Sequence, residues 1–127
     1  MAIVRTACTM TLDRKDLDEV VGIFEKFIKD VDEKDYGVLA YNYFIDEDPL
    51  LIHVIEWYES PKAMLDHYAN LDLEAAGRLI QLVQLVELSP LHYYGNPTPE
   101  EEAQMAGFGT VHVHRPLAGI EETAARA

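Results

Sequence analysis

The chain of 127 residues predicts an α+β fold of the ferredoxin-like kind, with elements in the order βαββαβ. Three observations predict it. One long segment carries apolar residues at three- and four-residue spacing, which is the mark of an amphipathic helix. Short runs rich in β-branched and aromatic residues flank it, as strands require. Between these segments stand Asp, Gly, Ser and Pro clusters, which punctuate chains into separate elements.

The first strand is expected over residues 3–12, where Ile3, Val4, Thr6, Thr9 and Thr11 supply β-branched side chains without a turn residue. Asp13 has N-cap chemistry, and Asp16 places negative charge where a helix dipole favours it. Leu17, Val20, Val21, Phe24, Phe27, Ile28 and Val31 then define a helix over 14–33. Residues 36–45 form a second strand, the Asp46-Glu47-Asp48-Pro49 turn follows, and 50–58 return as a third strand in an antiparallel hairpin. Ser60 followed by Pro61 is an N-cap with proline at the first helical position, and Met64, Leu65 and Tyr68 lie on the helix it opens. A second helical stretch spans about 73–84. Residues 86–94 read as a fourth strand closed by Gly95-Asn96-Pro97. Residues 1–96 thus form the ferredoxin-like part of one domain, and 97–127 a C-terminal extension of it. In that extension Thr98-Pro99-Glu100-Glu101 starts a helix that Gly107 or Gly109 ends, and 108–114 alternate as a further strand.

Composition narrows the function. Ten Lys+Arg against 23 Asp+Glu give a formal charge of −13, which repels nucleic-acid backbones and anionic lipid surfaces. Nucleic-acid and membrane partners are therefore not expected. Hydrophobic residues form 49% of the chain, enough for a packed core. A single cysteine, Cys8, rules out an internal disulfide and a cysteine-based zinc site. No apolar run nears the length of a membrane span, and the expectation is a soluble cytoplasmic protein.

The strands are apolar on both sides. On the third, Leu51, Ile55 and Trp57 alternate with Ile52, Val54 and Tyr58; on the second, Val38, Ala40 and Phe44 alternate with Leu39, Tyr41, Tyr43 and Ile45. Two helices cover only one face of such a sheet. The other face calls for a second subunit, which predicts a homodimer, or for the C-terminal tail folded across it.

Residues 53–67 carry the densest chemistry: Glu56-Trp57, Glu59-Ser60, Ala63-Met64-Leu65 and His67. In order and spacing this window resembles the antibiotic biosynthesis monooxygenase family, and the surrounding βαββαβ order resembles it over residues 1–96. The resemblance implies a dimeric α+β barrel with a cavity between each sheet and its helices. It also implies oxidation of a small aromatic quinol, anthrone or polyketide-like substrate by O₂, with no cofactor and no metal. Trp57 stands at the family's strand tryptophan. Four residues before it, where the family's oxygenases have asparagine, this chain has His53.

On that resemblance the expected catalytic group is His53 as proton acceptor or substrate donor, Trp57 as ring platform, and His67. Tyr68, Tyr43 and Tyr94 are expected to line the substrate pocket. The expected arrangement is a strand face bearing His53 and Trp57 that looks toward His67 and Tyr68 on a helix. Each residue also has a plain structural reading: a strand histidine and a strand tryptophan serve more often in packing than in catalysis, and Glu56 has the option of pairing with a lysine or capping a turn. The same fold without catalysis is a dimeric module that binds a small ligand or simply assembles. His112 and His114 share a strand face and, with His92, contain the beginnings of a metal site, though a surface role fits two histidines better.

Overall fold

The computed structural model describes residues 3–34 and 37–120. Its elements run β1 (Val4–Leu12), α1 (Leu17–Lys34), β2 (Val38–Glu47), β3 (Leu50–Tyr58), α2 (Pro61–Ala69), α3 (Leu73–Leu85), β4 (Val86–Leu88), β5 (Leu91–Tyr94), α4 (Pro99–Met105) and β6 (Val111–His114). The six strands form one sheet in the order β2-β3-β1-β5-β6, with β4 also paired to β1. All pairings are antiparallel except β5 with β6. This is the expected ferredoxin-like α+β architecture, extended at one edge.

The helices lie on one face of the sheet because their apolar stripes have only that surface to bury. On α1 the buried stripe is Val20, Ile23, Phe24, Phe27 and Val31, and the first four pack with Met10, Ile52 and Val54 of the sheet and with Ala75 and Leu82 of α3. Val21 and Ile28, expected on this stripe, are instead exposed, one position round the helix. A second cluster joins Val4, Tyr58 and Tyr93 to Met64 of α2 and Met105 of α4. Ser60 caps α2 by accepting from the Ala63 amide at 3.1 Å. Asp72 does the same for α3 from the Ala75 amide at 2.8 Å.

Three details differ from the expectation. Residues 86–94 are two strands, because Pro90 has no amide to give the ladder. Ser89 bridges the gap: its amide donates to the Thr9 carbonyl, and its hydroxyl accepts from the Thr9 amide at 2.8 Å. In β2 a register shift between Val38 and Ala40 puts Val38 beside the helix-side cluster, not on the side of Ala40 and Phe44. Gly37, just before it, meets α2 so closely that a Cβ there would lie 2.5 Å from that of Ala63. The described part of the C-terminal extension does not cross the open sheet face. Its helix α4 packs against α2, and β6 adds to the edge beside β5. Phe44 and Tyr94 therefore stay 56% and 44% exposed.

Candidate functional site

Strand alternation sorts the candidate residues. On β3 the even-numbered side chains Ile52, Val54, Glu56 and Tyr58 are buried under the helices, and the odd-numbered His53, Ile55 and Trp57 face the other way. The register carries the same division to β1, where Val4, Thr6, Cys8 and Met10 share the side of Glu56, and to β2, where Tyr41 and Tyr43 do. Glu56 is thus a carboxyl in an otherwise apolar and aromatic row, 5% exposed.

Its surroundings are polar in a particular way. The Tyr58 hydroxyl donates a short hydrogen bond to Glu56 Oε1. Tyr68 of α2 packs against the cluster that contains Tyr58. His67, one residue earlier on α2, holds Nε2 at 3.7 Å from the same Glu56 oxygen. Its ring lies 5.7 Å from those of Tyr41 and Tyr58 and 5.0 Å from that of Tyr68. Tyr41 and Tyr43 share a hydroxyl–hydroxyl hydrogen bond of 2.8 Å, and Tyr43 stacks on Phe24 of α1 at 3.8 Å. Helical spacing explains how α2 contributes: Met64 and His67 are one turn apart and both buried, and Tyr68 follows at the fourth position from Met64.

Burial decides the protonation chemistry here. Loss of water pushes the Glu56 carboxyl above its ordinary range, against the opposing pull of the Tyr58 hydrogen bond and of His67. Burial also raises the Tyr43, Tyr58 and Tyr68 hydroxyls, and the nearby Glu56 charge adds to each. The Cys8 thiol is pushed up to about 11 by burial first and Glu56 second. A carboxyl raised in this way binds a proton more readily than an exposed one, while the phenols stay as hydrogen-bond donors.

The expected grouping of His53 and Trp57 with His67 and Tyr68 is corrected by this geometry. The six candidates divide three and three across the sheet. His67, Tyr68 and Tyr43 lie on the helix side around Glu56; His53, Trp57 and Tyr94 lie on the open side. There His53 pairs with Asp46 at 2.8 Å, and Trp57 lies under the Arg5 guanidinium at 4.7 Å. Tyr94 stacks at 4.8 Å on His114, whose Nε2 is 2.9 Å from Nδ1 of His92. These three histidines share one exposed patch at the β5–β6 edge, with His92 and His112 rings 5.4 Å apart. No group of three or more metal-ligating side chains that could hold an ion occurs among the described residues. Glu56, for which the sequence suggested pairing with a lysine or capping a turn, instead sits buried against Tyr58 and His67. Its signal was legible as a lone carboxylate in the run Ile52, Val54, Glu56, Tyr58.

Neither any protein-family model nor any curated protein sequence matches the chain. Solved structures do. MupZ from Pseudomonas fluorescens superposes with a TM-score of 0.76 at 15% identity, over 96% of each chain. The cofactor-independent oxygenase SnoaB from Streptomyces nogalater, in a variant form, matches at 0.63 and 11% identity, over 77% of this chain and 96% of that one. An antibiotic biosynthesis monooxygenase matches at 0.61 and 14%, over 76% and 99%. The chain therefore has the fold of the antibiotic biosynthesis monooxygenases. The MupZ match runs through nearly the whole chain, whereas the other two leave about a quarter of it uncovered.

Proposed function

We propose that this protein is a cofactor-independent monooxygenase that takes a proton from a small, neutral, electron-rich aromatic substrate with the Glu56 carboxylate and lets the resulting anion react with O₂. The observation that carries this reading is a buried carboxyl with a raised pKa, ringed by tyrosine hydroxyls and a histidine, between the sheet and α1 and α2. Quinols and anthrones fit because deprotonation makes them reducing enough to transfer an electron to O₂ themselves. The protein need only remove the proton, hold the ring and exclude water. Tyr43 and Tyr68 would contact the ring, and Tyr58 would steady the carboxylate. The fold shared with SnoaB supports the class of reaction.

The site is closed in this conformation. The cleft that reaches His67 holds about 30 Å³, far below the roughly 300–1,000 Å³ of small-molecule sites. Substrate entry at this site would require the helices over Glu56 to part from the sheet. The same tight packing favours a second reading, a non-catalytic module that binds a small ligand or assembles. The open sheet face, with Phe44, Trp57 and Tyr94, would bind a second copy in either case.

The test is O₂ consumption by metal-free protein against a panel of hydroquinones and anthrones. Uptake above the protein-free rate, insensitive to chelator and lost in Glu56→Gln, is the expected result. Ligand binding with no uptake across the panel would replace this reading with the binding module.

A further inference from the structure

The 30 Å³ cleft has a second meaning. It opens between α1 and the start of α3 and is lined by Phe27, Val31, His67, Asn70, Asp72 and Ala75. A water needs about 10–15 Å³, so the cleft has room for one or two waters but for no aromatic ring. Its mouth is pinned at that width. Asp30 of α1 pairs with Arg78 of α3, and Lys34 of α1 lies 3.6 Å from Asp72. One wall is His67, 8% exposed, whose Nε2 stands 3.7 Å from the buried carboxyl.

We propose that this cleft is the proton path between the buried site and solvent and that His67 relays protons between its water and Glu56. The inference rests on the reading of Glu56 as proton acceptor and adds how the carboxylate is regenerated. Glu56 takes a proton from a substrate C–H or O–H, whose electron pair stays on the substrate. It passes that proton to Nε2 of His67, and the imidazolium releases one to cleft water. Glu56 is a carboxylate again, and no electrons change hands in the relay. The 3.7 Å between the two groups exceeds a hydrogen bond, so a small ring rotation or one bridging water completes the path. Phe27, Leu71 and Ala75 form the apolar part of the cleft wall, and His67 is a titratable side chain that both lines this cleft and faces Glu56.

The test needs no substrate. The infrared band of the Glu56 acid, identified by its loss in Glu56→Gln, is followed at pH 5 as H₂O is replaced by D₂O. Wild type should exchange within the mixing time. His67→Gln, polar and of similar size but unable to carry the proton, should exchange at least tenfold more slowly. His67→Gly should be equally slow, and free imidazole should speed it in proportion to its concentration. Circular dichroism verifies that both variants are folded. Equal rates in wild type and His67→Gln, or no response of His67→Gly to imidazole, would overturn the relay. Absence of a Glu56 acid band at pH 5 would remove both the relay and the proton acceptor it serves. Exchange through His67 with no O₂ uptake by any panel compound would leave the relay standing and sink the oxygenase reading.

Discussion

The two faces of the sheet are made from the same strands yet hold opposite kinds of polar group. Under the helices, Glu56, Tyr58 and His67 are all below 9% exposed and bonded to or facing one another. On the open side, His53, Trp57, Tyr94 and His114 are half-exposed or exposed and paired through rings or a surface carboxylate. Polar groups in water have many partners, and their protonation follows the solvent. Sealed from water, each group depends on its neighbours, so a carboxyl becomes a base of altered strength. The proposed chemistry therefore draws on the covered face, and the proposed self-association on the open one.

The largest effect that would break this division is on turnover. Glu56→Gln should lower O₂ uptake by about 10²–10⁴-fold, as removal of a general base does. His53→Ala and Trp57→Phe on the other face should stay within about threefold in the same assay. Loss of activity in the latter pair with retention in the former would put the site on the wrong face.

Stability sharpens the comparison next. Met64 is fully buried between α2 and the sheet, so Met64→Ala should cost about 2–5 kcal/mol in urea unfolding. Phe44→Ala on the open face should change monomer stability by less than about 1 kcal/mol. Phe44→Asp should instead abolish self-association in sedimentation velocity, with the fold intact, if that face binds a second copy.

A smaller effect concerns pH. Folding raises the Glu56 pKa above its ordinary 4.5, so the folded state holds this proton more tightly than the unfolded one. Its contribution is then full below about 4.5 and is lost as pH rises through the folded value. Glu56→Gln has no such loss. At neutral pH its melting temperature should exceed that of wild type, and the difference should shrink toward pH 4. The smallest effect is at Trp57. Arg5→Gln, which removes the cation over the indole, should cost about 0.5–1 kcal/mol and alter the tryptophan emission.

Much of the fold was legible in the residues. The spacing of Val20, Phe24, Phe27 and Val31 made α1 plain, and Ser60-Pro61 and Thr98-Pro99 marked the starts of α2 and α4. The candidate site was legible only in part. His67, Tyr68 and Tyr43 were named as candidates, but they were joined to His53 and Trp57 and not to Glu56. The reason lies in β3, where both parities carry apolar residues. Alternation then says which side chains share a face but not which face the helices cover.

The sequence by itself determined the order of the main strands and helices, the caps at Ser60 and Thr98, and the net negative charge. These depend on local periodicity, on backbone chemistry within a few residues, and on summed charge. Only the tertiary structure decided which parity of β3 is sealed. It also decided that Val38 crosses sides at a bulge, that α4 lies against α2, and that His67 stands between a water-sized cleft and Glu56. Those outcomes depend on contacts between residues far apart in the chain, where burial is shared among several elements and no single segment carries the information.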